Sequence, residues 1–225
     1  TEIYTFSLHD ALPIFRYLLN VKFMVIEDAD IAGSLLPLEH LPLKGLFIKN
    51  SSLKTSALPK LNLRNLTLKN MPISDISFVG KMQVENLYLY NAGIKTLAPI
   101  YGMNLQTLVV SDAHLTEINA VESMPIEYLV IKNCPLGNIA SLKSCDSLKT
   151  LMLVKTNVED LAPLKGLHLR SLVIENSPIK DISPLLLCKD LEELVIRGTN
   201  IEDLAPLKCL HIRTLAIENS PINYI

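Results

Sequence analysis

The chain has 225 residues, of which 49% are hydrophobic and 20% are charged, and its formal net charge at pH 7 is −2. This length and hydrophobic content are enough to bury a sizeable core as one domain or one continuous array. The balanced charge gives no indication of a nucleic-acid-binding protein. No apolar run approaches the roughly eighteen residues that a membrane helix needs, so no membrane span is predicted.

The opening residues 1–14, TEIYTFSLHDALPI, differ in pattern from everything that follows. They resemble the translation of a common sequencing-adapter DNA, from which only Phe6 departs. A signal peptide is the rival interpretation, but the stretch has no basic start, and His9 and Asp10 stand where an apolar segment is needed. We therefore interpret residues 1–14 as a non-native adapter-derived segment and residues 15–20 as an N-terminal flank.

A single pattern of apolar residues recurs over residues 21–225. The segment LRSLVIENSPIKDISPL, which begins at Leu169, aligns with LEELVIRGTNIEDLAPL, which begins at Leu191, and their apolar residues coincide. Both fit the template L-x-x-L-x-L-x-x-x-x-I-x-x-I-x-x-L. The template identifies about ten units of 20 to 22 residues, which open at Val21, Leu43, Leu63, Val84, Leu105, Ile126, Leu148, Leu169, Leu191 and Ile212.

Each unit predicts a short strand followed by a tight turn. The alternating first part is typical of a strand, and apolar residues then recur at every third position, as at Ile179, Ile182 and Leu185, which suits a short 3₁₀-like or helical segment. Prolines near the start of that segment fix φ; they are Pro99, Pro163, Pro184 and Pro206. A unit this short cannot bury its own apolar face, so we expect stacked units that form a solenoid with a parallel sheet.

These repeats resemble the short leucine-rich repeats of bacterial internalin-like proteins, most closely in GTNIEDLAPLKCLHIRTLAI and NSPIKDISPL. The resemblance covers residues 21–225. It implies an α/β repeat solenoid, a leucine-rich-repeat horseshoe or arc with a parallel β-sheet on its concave side and turns or short 3₁₀ segments on its convex side. Because the chain stops within the tenth unit without a polar cap, we expect the array to be truncated at its C-terminus.

The chain departs from many such repeats at position nine, counted from the opening residue of each unit, where Asn is common in the family. The residues there are Ala29, Ser51, Met71, Ala92, Ala113, Cys134, Thr156, Ser177, Thr199 and Ser220. Their hydroxyl groups can hydrogen-bond turn backbone, whereas Ala and Met cannot. Asn or Asp often occupies position eight instead, which is consistent with turn chemistry. These residues are Asp28, Asn50, Asn70, Asn91, Asp112, Asn133, Asn176 and Asn219.

The residue types that carry chemistry follow the repeat and form no catalytic motif. Asp160, Asp181 and Asp203 recur as turn or cap residues, and the equivalent places of His168 and His211 reflect repeat copying. No catalytic signature or phosphate-binding glycine loop occurs, so we predict no enzyme, metal or cofactor. The cysteines lack metal or disulfide spacing and are expected to be small buried apolar residues; they are Cys134, Cys145, Cys188 and Cys209.

The solvent-facing side of the sheet is the candidate binding surface. Position five forms a largely apolar stripe: Val25, Phe47, Thr67, Tyr88, Val109, Val130, Met152, Val173, Val195 and Ala216. An apolar stripe with aromatic anchors and a mixed-charge rim is typical of protein-binding surfaces, although β-branched residues also simply favour strands. We interpret the valines as strand formers. The predicted contact residues are Phe47, Tyr88, Tyr90, Tyr128 and Met152.

The sequence therefore favours a binding module that holds an unidentified protein or peptide on its concave sheet. One alternative is a regulatory or spacer segment of a larger enzyme such as a kinase. Another is a structural cell-surface protein. A signal peptide or anchor in the full reading frame would favour the surface alternative, and a fused catalytic domain would favour the enzyme alternative.

The first testable prediction concerns the adapter-like segment. Deletion of residues 1–14 should leave the melting temperature unchanged within error, because a segment outside the repeat pattern contributes nothing to the stacked core. Thermal unfolding of the full-length and shortened chains measures this directly. A clear loss of stability in the shortened chain would show that the segment is part of the fold.

Overall fold

The computed structural model describes residues 17–31, 36–53, 58 and 60–223; the adapter-like segment lies outside them. The described residues contain short strands and 3₁₀ turns, without an α-helix. The strands are β1 (Phe23–Glu27), β2 (Asp30–Ile31), β3 (Gly45–Lys49), β4 (Ser52–Leu53), β5 (Asn65–Lys69), β6 (Asn86–Tyr90), β7 (Thr107–Ser111), β8 (Tyr128–Lys132), β9 (Thr150–Val154), β10 (Ser171–Glu175), β11 (Glu193–Arg197) and β12 (Thr214–Glu218).

Ten of these strands form one parallel sheet in the order β1-β3-β5-β6-β7-β8-β9-β10-β11-β12. Equivalent residues of adjacent units face each other, so that Leu172 stands between Leu151 and Leu194. At a spacing of about 4.8 Å, the sheet extends about 43 Å along the stack. Strands β2 and β4 form a separate two-stranded parallel pair that the repeat pattern did not predict.

Each of the ten main strands begins two residues after a predicted unit opening, for example at Ser171 after Leu169. Short 3₁₀ segments return the chain on the other side of the coil. They span Leu36–His40, Val79–Lys81, Ala98–Ile100, Asn119–Val121, Ala140–Ser144, Ala162–Leu164, Ser183–Leu187 and Ala205–Cys209. The predicted fold class, a leucine-rich-repeat solenoid with a parallel sheet on one side and 3₁₀ turns on the other, is confirmed.

The template positions form one continuous apolar core that runs the length of the stack. In the coil that opens at Leu169, Leu172, Ile174 and Ile179 are 0% exposed and Ile182 is 1% exposed. Leu215 shows how much of this burial depends on a following coil. It is 47% exposed on β12, the last strand of the described sheet, while its neighbour Leu194 on β11 is fully buried.

Three of the four cysteines are buried in the core. Cys134, Cys145 and Cys188 are buried as predicted, but Cys209 is exposed, which corrects that expectation. Cys188 donates a hydrogen bond to the backbone oxygen of Leu164 in the preceding coil at 3.1 Å. Cys209 ends the last described 3₁₀ segment, so no further turn of the described chain covers it.

Backbone hydrogen bonds join consecutive coils at both ends of each strand. The N–H groups of Lys44 and Gly45 both donate to the oxygen of Lys22, at 2.7 and 3.0 Å. At the other end, the N–H of Asn70 donates to the oxygen of Tyr90 at 2.9 Å. The same pattern repeats along the sheet, so the backbone groups that flank each strand are satisfied by the neighbouring coil.

The turn residues play the roles that the sequence predicted. The side-chain Oδ1 atoms of Asp160, Asp181 and Asp203 each accept a hydrogen bond, at 2.7 Å, from the backbone N–H two residues further on. These carboxylates therefore hold the start of a 3₁₀ segment and are not free acid or base groups. Proline stands at the first or second position of four such segments, with Pro99, Pro163, Pro184 and Pro206.

One glycine marks how closely neighbouring coils approach. A Cβ atom on Gly80 would lie 2.2 Å from the backbone oxygen of Pro99, which belongs to the next coil. A backbone atom cannot move aside as a flexible side-chain end can. Position 80 therefore admits only glycine unless the two coils separate.

The strand register predicts a contrast between two adjacent residues of β10. Leu172→Ala should lower the free energy of unfolding by about 2–5 kcal/mol, because it opens a cavity in a closed core. Val173→Ala should cost less, since Val173 faces the other side of the sheet. Chemical denaturation of both variants measures the difference, and equal losses would mean that the register is wrong by one residue.

Candidate binding surface

Alternation along each strand places one set of side chains in the core and the other on the concave face. In β8, Leu129 and Ile131 are fully buried in the core, while Tyr128, Val130 and Lys132 point the other way. Because the sheet is parallel and in register, each concave position becomes a row that crosses the whole stack. Positions three, five and seven of the units form three such rows.

The central row, at position five, is more closed than the sequence indicated. Val173 and Val195 are only 9% exposed, although both stand on the concave face as predicted. Each side chain inside this row, away from the two edge strands, has a neighbour on either side at the strand spacing. These neighbours remove most of its solvent contact. Val25 on the edge strand β1 has one neighbour and is 39% exposed. The interpretation of the valines as strand-forming residues is consistent with this packing.

Tyr88 interrupts this closed row, and Tyr90 at position seven and Tyr128 at position three stand in the rows on either side of it. We call Tyr88, Tyr90 and Tyr128 the tyrosine cluster. Tyr88 and Tyr90 extend from β6, and Tyr128 extends from β8. Burial raises the pKa of the Tyr90 phenol above its ordinary value, and Tyr88 and Tyr128 raise the pKa further. The strands β6 and β8 are separated only by β7, so the three residues lie within two strand spacings on the concave surface.

Two further predicted contact residues differ in their relation to the tyrosine cluster. The Tyr128 hydroxyl donates a hydrogen bond to the Met152 sulfur at 3.6 Å, so Met152 joins the cluster. Phe47 is half-buried on β3, where its row neighbours are Val25 and Thr67. Thr67 separates Phe47 from Tyr88, so Phe47 forms a distinct apolar position two strand spacings from Tyr88.

Lysine residues beside the tyrosine cluster were not among the predicted contact residues. The Lys69 ammonium lies 6.0 Å from the centre of the Tyr90 ring, a cation–π geometry. Lys69 and Tyr90 are row neighbours at position seven, and Lys132 lies in the same row two strands further along. Reading position seven across the units, as was done for position five, would have found both lysines.

The rim at position two carries charged residues of both signs, and three ion pairs form along it. Arg64 pairs with Glu85 at 3.7 Å, and Lys149 pairs with Glu127 at 2.7 Å. Further along, Arg213 pairs with Glu192 at 3.4 Å. All of these pairs are exposed, so each contributes little to stability. Between β5 and β9 the charges of this rim cancel, whereas Lys22, Lys44 and Arg170 elsewhere along it form no ion pair in the described structure.

The opposite rim is formed by the turns that follow the strands. Every residue at position eight is in the left-handed region, with φ between 46° and 57°, which explains the preference for Asn, Asp and Gly there. The side chains also bond along the stack. Asn50 donates to Asp28 at 2.8 Å, Asn70 donates to Asn50 at 2.8 Å and Asn91 donates to Asn70 at 3.2 Å.

Buried hydroxyl groups at position nine continue this bonding inside the turn. The Ser177 hydroxyl accepts from the Thr156 N–H at 3.3 Å and donates to the Glu175 oxygen at 3.3 Å. Ser51 bonds the backbone in the same way, to the N–H of Ala29 and the oxygen of Lys49. The expectation that these hydroxyl groups bond turn backbone is confirmed.

An open polar depression of about 600 Å³ lies beside the turns that follow β6 to β9. Asp112, Asn133 and Lys155 are among its lining residues. The Ser111 hydroxyl and the Asn133 amide donate to the Asp112 carboxylate, and these bonds lower the pKa of Asp112. Lys132 and Lys155 lower that pKa further through their charge.

Two further reactive groups of the described residues lie outside the candidate binding surface. Burial raises the pKa of the Cys145 thiol to about 11, so this thiol stays protonated at neutral pH. His168 Nδ1 lies 2.6 Å from Asp190 Oδ2, but both side chains are exposed on the surface and adjoin no nucleophile in the described structure. Within the described residues, no group of three or more His, Cys, Asp or Glu side chains could hold a metal ion.

Over the same described ranges, no helix is long and apolar enough to cross a membrane.

Comparison with known proteins identifies the fold but no family. A scan against protein-family models finds no match, and a search of curated proteins finds none either. Among solved structures, an internalin (InlF) from Listeria monocytogenes has a TM-score of 0.71 and 22% identity, over 94% of this chain and 71% of its own. Internalin C2 from the same organism has a TM-score of 0.60 and 21% identity, over 83% of this chain and 76% of its own.

A plant protein has the same fold at lower identity. The peptide hormone receptor RGFR1, in its complex with RGF2, has a TM-score of 0.64 and 15% identity, over 95% of this chain and 40% of its own. At these identities the likeness shows the fold alone. The chain has a leucine-rich-repeat solenoid with internalin-like repeats.

The coupling within the tyrosine cluster predicts an altered titration. Tyr90→Phe should remove an ionisation that occurs above the ordinary tyrosine pKa of about 10, because burial and the neighbouring rings disfavour the Tyr90 phenolate. Tyrosinate absorbance against pH, taken as the difference between wild type and variant, measures this. In denaturant the difference should return to the ordinary value. A folded-state midpoint at or below that value would contradict the described environment of Tyr90.

Proposed function

We propose that the chain is a binding module whose concave sheet holds a protein or peptide segment, with the tyrosine cluster as its main contact. The observation that carries this proposal is the position of the cluster. Tyr88, Tyr90 and Tyr128 stand together with Met152 where the other central-row side chains of β7, β8, β10 and β11 are closed valines. A partner on this face therefore meets aromatic rings at one place.

The physical properties of these residues suit contact with a partner. Tyrosine offers a large apolar area and a hydroxyl group, and it loses little side-chain entropy on binding. Tyr88 and Tyr90 are half-buried, so neighbouring residues already restrict their rings before a partner arrives. Met152 adds an adaptable apolar surface beside Tyr128. Phe47 supplies a second, smaller contact one strand beyond Thr67.

The comparisons support this proposal through shared architecture. The RGFR1 structure is that of a receptor in complex with a peptide hormone, so one solenoid of this fold binds a peptide. The present sheet is about 43 Å long, which is enough for a standard protein interface along one dimension. A spacer or purely structural array would not depend on the tyrosine cluster, and this difference makes the proposal testable.

The double variant Tyr88→Ala/Tyr90→Ala should weaken capture of a partner by tenfold or more, because aromatic contacts carry a large share of interface energy. The chain should remain folded, since neither side chain belongs to the core. Proteins of the source organism are captured on the immobilised chain, and their affinity is then measured on wild type and variant. Circular dichroism and thermal unfolding report the folded state.

Val195→Ala is the matched control, because Val195 lies in the same row but outside the tyrosine cluster. It should leave capture unchanged. Changes on the convex side, at Asp181 and Pro184, should also leave capture unchanged. If the tyrosine variant binds as well as wild type while the convex changes abolish binding, the concave-face proposal is wrong.

A further inference from the structure

The concave rim beside the tyrosine cluster carries lysines without carboxylate partners. Lys69, Lys132 and Lys155, which we call the lysine rim, form no ion pair in the described structure. Lys132 and Lys155 are exposed, and Lys69 is half-buried against Tyr90. Lys69 contacts the Tyr90 ring, Lys132 lies two strands from Tyr90 in the same row, and Lys155 directly follows β9.

Other basic residues at position seven, the row of Lys69 and Lys132, form ion pairs with glutamates. Lys49 lies 3.6 Å from Glu27, and Arg197 is held between Glu175 at 2.8 Å and Glu218 at 3.2 Å. The rim at position two is neutral beside the tyrosine cluster, where Arg64 and Lys149 pair with Glu85 and Glu127. The unpaired basic residues of that rim, Lys22, Lys44 and Arg170, lie outside β5 to β9. The unpaired positive charge nearest the tyrosine cluster on the concave face is therefore that of the lysine rim.

One carboxylate lies among these lysines. Asp112 accepts hydrogen bonds from the Ser111 hydroxyl and the Asn133 amide, and it forms no ion pair within 4.0 Å in the described structure. Counting Asp112 against the lysine rim leaves this region with a net positive charge of two. The polar depression lined by Asp112, Asn133 and Lys155 leaves open space in which a partner's side chain can approach Lys155.

The dimensions of the region define the size of a matching ligand. Strand β5 carries Lys69, and strand β9 directly precedes Lys155. The two strands are four strand spacings apart in the sheet. This separation is about 19 Å at about 4.8 Å per spacing. An extended chain rises about 3.3 Å per residue, so a segment of about six residues crosses the whole region.

We propose that the partner is an acidic peptide segment, bound in extended form across β5 to β9, with apolar side chains on the tyrosine cluster and carboxylates on the lysine rim. This inference rests on the proposed function of the concave face and adds the chemistry of the partner. Charge complementarity selects an acidic ligand. A nucleic acid is disfavoured because the chain carries a net charge of −2, and because Glu85, Asp112 and Glu127 lie among the basic residues between β5 and β9.

The test is selection from a random-peptide phage library on three immobilised proteins: wild type, Tyr88→Ala/Tyr90→Ala and Lys132→Glu/Lys155→Asp. Aspartate is chosen at position 155 because it tolerates the left-handed φ of 51° found there. Wild type should enrich peptides with net negative charge. The affinity of a selected acidic peptide should fall about tenfold on the lysine variant, the equivalent of two lost exposed pairs plus repulsion, and it should weaken as salt rises.

Lys165→Glu is the matched control, because Lys165 is exposed and directly follows the convex segment Ala162–Leu164; it should leave the affinity unchanged. Enriched peptides that are neutral or basic, yet lost on the tyrosine variant, would overturn the acidic partner and leave the proposed function standing. No enrichment above the tyrosine variant would overturn both. Tighter binding of a single-stranded oligonucleotide than of any selected peptide, dependent on Lys132, would identify a nucleic acid instead.

Discussion

Stacking of one short coil on the next is the constraint on which the rest of this structure depends. A unit of 20 to 22 residues buries its apolar side chains only between two neighbours. Leu194 is fully buried within the stack, whereas Leu215, its equivalent in the last strand of the sheet, is half exposed. The same stacking satisfies the backbone at both ends of each strand, and it admits only glycine where Gly80 meets Pro99. Burial of the core, the hydrogen bonds between coils and the close contact at Gly80 therefore all depend on the same distance between neighbouring coils.

This spacing also determines the concave surface. Equivalent positions of successive units become rows of side chains at the strand spacing, and a row of valines closes on itself, as Val173 and Val195 show. A large side chain in such a row must project beyond its neighbours. Tyr88 does so, and Tyr90 and Tyr128 add rings from the rows on either side. The candidate contact site thus arises where the repeat departs from small β-branched residues, and the lysine rim supplies charge at the same place.

The fold could be predicted from the sequence because the same apolar pattern recurs in ten units. The strand register and the caps at Asp160, Asp181 and Asp203 followed from this periodicity. The side chains of the site were found only in part. Val173 was expected to be more open, since a single unit does not show the row neighbours that cover it. Met152 and Phe47 share a row, yet only Met152 contacts the tyrosine cluster. Lys69 and Lys132 were missed because a lysine is left unpaired only when the neighbouring units place no carboxylate beside it, and a single unit does not show this.

Stacking separates a convex side of 3₁₀ segments from the concave sheet face that we propose as the binding side. Hydrogen–deuterium exchange of the chain, with and without a saturating acidic peptide selected from the library, tests this claim most directly. The account predicts slower exchange in β5 to β9 and in the turns that follow them near Asp112 and Lys155, with no change at Ala98–Ile100 or Asn119–Val121. Protection confined to those convex segments, with the concave strands unchanged, would contradict the account.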